Sequence, residues 1–261
     1  MLTVEPVVGR SGVRRFRELP FALWSGSPLW APPRLAGEDA RLEPERGEVA
    51  AWIARRDGRA VGRVAAWSEG RFGFFDCEDD EAAARALLDA ARAWAGGVPL
   101  VGPQGFLPDE ERGVLVSGFS EPGTTGRPWH PPHVARLLSL LPVAENVRAW
   151  RLDAGGPGAL AAAETDLGPY GDPRLVGVDI VAVPDLAPVL RQKGVRSAWR
   201  LARTARTRSW EGASVVRCDG DPSVLVPAIL GAAGRAGYRW VLAPWSPDDR
   251  PPTVVHRLFT L

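Results

Sequence analysis

Two histidines, His130 and His133, flank Pro131 and Pro132. Histidine titrates near neutrality and is the usual general base. On a stiff proline turn this pair is a candidate for taking a proton from a nucleophile. Three carboxylates, Asp109, Glu110 and Glu111, follow Gly102-Pro103, which closes a short apolar run. The carboxyl edge of an open α/β sheet is where ligands bind. Asp109 and Glu111 are therefore expected beside His130 and His133, where a carboxylate would hold a ring's tautomer and raise its basicity. Glu110, Trp129 and Trp30 are expected to contact substrate. The spacing His-x-x-His could also hold a metal, but no third ligand accompanies it, and no metal is expected. The competing expectation is that both histidines are exposed and unpaired and merely complete a surface turn.

Cys77 and Cys218 each fall just past an apolar run and before a helical stretch. A helix N-terminus binds anions and stabilises thiolates. Glu78, Asp79, Asp80 and Glu81 crowd the first of these positions and would repel a phosphate. The second is milder, with Asp219 and Asp221 after Arg217. Both cysteines read as small buried residues before they read as nucleophiles. Arg191, Lys193, Arg196, Arg200, Arg203, Arg206 and Arg208 form a run with no acid among them. Such a run is either a solvated helix face or a contact for a phosphate-rich ligand.

These residues need elements to position them. The spacing predicts a helix over 11–24 with Ser11 as N-cap, then a Pro-rich loop over 25–48. Residues 50–56 and 59–67 read as a hairpin, because Asp57-Gly58 supplies the positive φ of a tight turn. Strands are expected over 72–75, 100–101, 113–119, 147–152, 176–183, 213–217 and 240–243. Helices are expected over 80–95, closed by Gly96-Gly97, and over 131–141, 159–164, 184–208, 222–236 and 252–261. The order makes the class α/β (α+β).

The chain has 261 residues, 45% of them apolar and 24% charged, and a net charge of +1. That balance argues against a globally basic nucleic-acid binder. No apolar run is long enough to span a membrane, and the first residues carry no signal segment. A cytoplasmic protein with two reduced thiols is the expectation.

The sequence repeats itself. Residues 74–103 lie over 215–244 without a gap, at an offset of 141, with identities at Cys77/Cys218, Asp80/Asp221, Ala91/Ala232, Ala95/Ala236, Gly96/Gly237 and Pro103/Pro244. Each copy reads strand, Cys-acid-x-Asp, helix, Ala-Gly, strand, Pro. Duplication gives two related halves, 1–153 and a shorter 154–261.

Several stretches resemble the YghO-like proteins of the GNAT acyltransferase superfamily. They are Trp24 with Pro28 to Pro33, Ile53 to Ala66, Phe72 to Asp80, Gly102-Pro103 with Phe106, Asp109 to Phe119, and Pro128 to His133. The resemblance covers residues 13–153 best. It implies a tandem GNAT-like fold and transfer of an acyl group from a thioester, acyl-CoA such as acetyl-CoA, to an amine of a small molecule. In that fold the loop and helix N-terminus between two strands cradle the CoA pyrophosphate. In the second half this position holds Arg217, Cys218 and Gly220, and Arg203 and Arg206 precede it. These five are the residues expected to hold CoA. Two other readings stay open: a catalytically degenerate GNAT scaffold that binds a small molecule or a protein partner, and a tRNA-dependent aminoacyl transferase.

Overall fold

A computed structural model describes residues 1–30, 42, 47–105, 112–123, 127–153, 179–183, 212–217, 230, 240–243 and 250–261, with the backbone alone for 179–183 and 212–217. The elements in chain order are β1 (Leu2–Pro6), α1 (Gly9–Trp24), β2 (Val49–Arg56), β3 (Arg59–Trp67), β4 (Arg71–Cys77), α2 (Glu81–Ala95) and β5 (Val101–Gly102). Then come β6 (Val114–Ser117), α3 (Pro132–Leu138), β7 (Val143–Asp153), β8 (Asp179–Val183), β9 (Gly212–Arg217), β10 (Trp240–Ala243) and β11 (Val254–Thr260).

The local chemistry behind these elements is simple. Asp57 and Gly58 both take positive φ, 53° and 82°, and turn β2 into β3. Asp80 caps α2 by accepting the Ala83 N–H, and Gly96 closes the helix in the left-handed region at φ 61°. α1 begins at Gly9 rather than at Ser11. Its N-cap is Val8, without a side-chain bond. Its stability comes instead from the buried stripe Val13, Phe16, Leu19 and Trp24.

One face of the first four strands packs on α2 and the other on α1. Successive residues of β3 serve opposite layers, as a pleated strand requires: Val64 and Ala66 join the α2 side, Ala65 and Trp67 the α1 side. At two points β4 and the β5 segment come too close for any side chain. A Cβ on Gly73 would lie 1.8 Å from the Gln104 carbonyl, and one on Gly102 would lie 2.0 Å from the Phe72 carbonyl.

The strands run in the order β1-β2-β3-β4-β5-β11-β7-β10-β9-β8, with β6 beside β11. β3 is antiparallel to β4, and β4 is parallel to β5. β8 is likewise antiparallel to β9, and β9 parallel to β10. β4 starts at Arg71 and β9 at Gly212, which is the offset of the sequence repeat. These are two related halves. Their closing strands are exchanged: β11 follows β10 in sequence but pairs with β5, while β7 from the first half pairs with β10.

β11 corrects an expectation. Residues 252–261 were predicted as a closing helix, because Pro251 and Pro252 resemble a helix start. They form a strand instead. Val254, His256 and Leu258 are buried and alternate with the more open Val255 and Arg257, a period of two that breaks at the irregularity before the buried Phe259. The expected helices over 159–164, 184–208 and 222–236 lie outside the described residues, apart from Leu230.

A buried ion pair ties these layers. Arg63 Nε donates to Asp76 Oδ2 at 2.7 Å, and Trp24 Nε1 donates to Asp76 Oδ1 at 2.6 Å. Replacing Asp76 with Ala strands a buried guanidinium, and removing one partner of such a pair costs about 3–5 kcal/mol. Urea unfolding should show a loss of that size. A loss below about 1 kcal/mol, the range of a surface pair, would contradict the structural role.

Candidate functional site

At the turn from β4 into α2, where the four acids were expected to repel a phosphate, the site's own charges fill the helix N-terminus. Arg56 donates to Asp80 from Nε at 3.0 Å and from Nη2 at 2.6 and 2.8 Å. Arg59 pairs with Glu78, and Arg136 from α3 reaches both Asp79 and Glu81. Burial raises the Asp80 pKa, but the Arg56 hydrogen bonds and the Ala83 N–H outweigh it and hold the carboxyl below its usual range. Four carboxylates at one helix N-terminus satisfy the dipole and leave no room, in charge, for a polyphosphate. The first-half turn does not fit CoA.

Cys77 sits at the same point. Burial, then the surrounding carboxylates beginning with Asp80, push its thiol up to about 12. Such a thiol stays protonated and unreactive near neutrality.

Behind the turn lies a group of buried polar side chains. His130 is 3% exposed. Its Nδ1 faces the Leu115 N–H at 3.4 Å and therefore accepts, which leaves the proton on Nε2. Burial pulls the His130 ring down to about 4, although Asp76 opposes this. His133 is half-buried, with Nε2 3.0 Å from the Cys77 carbonyl and its ring tilted against Trp24 at 5.8 Å. Backbone groups, not carboxylates, fix both rings. The expectation of exposed, unpaired histidines is overturned, because the proline turn packs against β4 and β6 rather than standing in solvent.

A small cavity of about 10 Å³, room for about one water, opens beside this group, between β6, β10, β11 and the segment before α3. Trp129, expected to touch substrate, lines it and donates its Nε1–H to the Phe119 carbonyl at 2.9 Å. Arg127 lines it too. Burial, then the charge of Arg112, lowers that guanidinium to about 10. His256, which sequence reasoning did not single out, lines it as well. Burial pulls its ring down to about 3, opposed by the Pro128 carbonyl. A histidine in a β-branched run gives no motif; only the exchanged strand brings it here.

Other expected site residues lie elsewhere. Trp30 is 9% exposed and packs edge-on against Phe21 in the core. Asp109, Glu110, Glu111, Arg203, Arg206, Cys218 and Gly220 lie outside the described residues. Arg217 ends β9, and its side chain is not described. Among the described residues no group of three or more His, Cys, Asp or Glu could hold a metal, and no helix is long and apolar enough to cross a membrane.

No family model matches the sequence. The chain is 27% identical over 157 residues to Protein YghO of Escherichia coli (strain K12), covering 51% of this chain and 40% of that protein. It is 34% identical over 142 residues to Bacterial ceramide synthase of Caulobacter vibrioides (strain NA1000 / CB15N), covering 46% of this chain and 37% of that one. The matched stretch thus spans about two fifths of each relative. Among solved structures it is similar to a tandem GNAT protein from the clavulanic acid biosynthesis pathway, with a TM-score of 0.51 at 16% identity, covering 100% of this chain and 98% of that one. The chain has the tandem GNAT fold, and its sequence is YghO-like.

The thiol and the histidines generate two predictions. Cys77 should resist iodoacetamide in the folded protein and react fully in urea, followed by mass spectrometry of its peptide. Rapid native alkylation would contradict the buried, raised thiol. The histidine prediction concerns pH. Both His130 and His256 are neutral in the fold, with folded pKa values of about 4 and about 3, below the unfolded value of about 6.5. The unfolded chain therefore binds protons first as pH falls. The stability these rings contribute is whole above pH ~6.5 and is lost below it, at about 1.4 kcal/mol per pH unit for each ring. Thermal melts should fall steeply from pH ~6.5 to ~4.5, before most carboxylates titrate. A flat Tm across that window would rule out buried neutral rings.

Proposed function

We propose that this YghO-like chain, with its tandem GNAT fold, is an N-acyltransferase that moves an acyl group from a CoA thioester to the amine of a small molecule. In that reaction the amine nitrogen bonds to the thioester carbonyl carbon and the C–S bond breaks. One amine proton ends on the leaving sulfur, so the products are an amide and free CoA.

The observation that carries this reading is the duplicated strand arrangement with one cradle filled. β8, β9 and β10 repeat the antiparallel-then-parallel order of β3, β4 and β5. The first copy spends its helix N-terminus on Arg56, Arg59 and Arg136. The second carries Arg217 where the first has Asp76, and two acids after its cysteine where the first has four in succession. A free helix N-terminus with arginine nearby is what a phosphate needs. This supports one donor site per chain, in the second half, with Arg217, Cys218, Gly220, Arg203 and Arg206 as the residues to hold CoA. The acceptor would then lie in the first half, toward the segment Pro128 to His133.

One relative is named a ceramide synthase. A ceramide is the amide of a fatty acid and a long-chain amino alcohol. Fatty acyl-CoA with an amino alcohol is therefore the first pair to try.

The filled cradle and the neutral, buried His130 favour a second reading, a scaffold that binds without turning over. One experiment separates the two. Acetyl-, butyryl- and palmitoyl-CoA are each incubated with the protein and an amino alcohol, and free thiol is followed, with calorimetry for donor binding. The expected result is amine-dependent thiol release and one donor bound per chain. Replacing Arg203 and Arg206 with Ala should weaken donor binding by about tenfold or more, the scale of a lost charge-assisted contact. Absence of both heat and thiol release with all three donors would leave the binding scaffold.

A further inference from the structure

His256 stands on β11, 2% exposed. Its Nε2 lies 2.9 Å from the Pro128 carbonyl oxygen. A carbonyl only accepts, so Nε2 carries the proton and Nδ1 keeps its lone pair. That Nδ1 is buried and has no hydrogen-bond partner within the protein. An unmade buried acceptor is destabilising, and native proteins satisfy nearly all of them.

The ring lines the cavity of about 10 Å³ together with Arg127, Trp129, Glu121 and Leu242. One water needs roughly 10–15 Å³ of such space, so the volume suits a single water and excludes a larger ligand. Size alone does not make a cavity wet, because a water held inside a protein needs polar partners around it. The lining supplies them in complementary kinds. His256 Nδ1 accepts. The Arg127 guanidinium carries only N–H donors. The Glu121 carboxylate accepts, and Arg151 holds it at 3.1 Å. The Trp129 Nε1–H is already given to the Phe119 carbonyl.

We propose that this cavity is the binding site of one structural water, which donates an O–H to His256 Nδ1 and accepts an N–H from Arg127. Its other O–H is then available to Glu121. Both nitrogens of the ring are thereby held by consecutive residues: Nε2 by the Pro128 carbonyl directly, and Nδ1 by Arg127 through the water. That clamp sets the tautomer and the rotation of the ring. It also ties β11 to the segment that enters the proline turn of His130 and His133. The neutral ring agrees with this arrangement, since a proton on Nδ1 would displace the water's O–H and face the Arg127 cation. The site is independent of the acyl-transfer reading, because water binding needs neither donor nor acceptor substrate.

The test uses the whole chain, labelled with carbon-13 and nitrogen-15. In water-selective NMR, the His256 ring proton between the two nitrogens should show a direct contact with water. The signs of laboratory-frame and rotating-frame transfer should mark a residence far longer than that of surface hydration. The Nδ1 resonance should lie upfield of the pyridine-type nitrogen of N-methylimidazole in an apolar solvent, where that lone pair has no donor. The variant is His256→Phe, which keeps a ring in place but offers no lone pair. Oxygen-17 relaxation dispersion should lose the amplitude of one long-lived water in this variant. Equal amplitude in wild type and variant overturns the proposal. So does a ring proton with no long-lived water beside it, or an Nδ1 resonance at the position of a bare lone pair. If His256→Phe does not fold, the wild-type ring spectra alone decide.

Discussion

The Arg63–Asp76 pair is the constraint around which the first half is organised. Both side chains are almost fully withdrawn from water. A charge in such a place is tolerated only when every polar atom around it is matched. Asp76 takes one donor from β3 and one from α1, through Arg63 and Trp24. Arg63 also donates to the Phe16 carbonyl and lies over the rings of Phe16 and Phe74. The pair therefore fixes the angle of α1 on the sheet and the path of β4 at its carboxyl end. Trp24, positioned by Asp76, presents its ring to His133. The geometry of the proline turn is set from beneath by this one pair.

The carboxyl end of β4 shows how a duplicated element can be given over to structure. Arg56 and Arg59 come from the hairpin and Arg136 from α3, and they meet on four consecutive acids. Each pair is at least partly exposed and worth little alone. Together they join the hairpin, α2 and α3 across a point where the backbone leaves N–H groups unpaired. Burial first, and these acids second, keep the Cys77 thiol protonated. Anion binding and thiol reactivity are surrendered in this half.

The exchange of closing strands makes the halves interdependent. β11 lies between β5 and β7, and β7 lies between β11 and β10. Neither half completes its sheet from its own segment. The same exchange carries His256 from the far end of the chain to a site opposite Leu115 and next to Pro128. A polar group so distant in sequence comes beside Leu115 and Pro128 only because a strand, with its period of two, turns alternate residues inward.

Much of the frame was legible in the residues. Asp57-Gly58 fixed the hairpin, Asp80 and Gly96 fixed the ends of α2, and the offset between Cys77 and Cys218 placed β4 and β9 as equivalents, because turn and cap chemistry is local. The resemblance carried the tandem GNAT fold for the same reason: its matching stretches are these local elements. The closing strand was misread, since two prolines suit a helix start as well as the lead-in to a strand, and only pairing with β5 and β7 decides. Whether a histidine is a surface base or a buried neutral ring was not legible either. His130 and His133 follow one motif, yet burial against β6 and the Leu115 N–H make one neutral, while the Cys77 carbonyl orients the other. Sequence by itself determined the elements and their duplication. The tertiary structure decided which charges cancel, which lone pair is left over, and which strand completes which half, because those depend on contacts between distant residues, 24 positions apart for Arg56 and Asp80, 57 for Arg136 and Asp79, and 128 for His256 and Pro128.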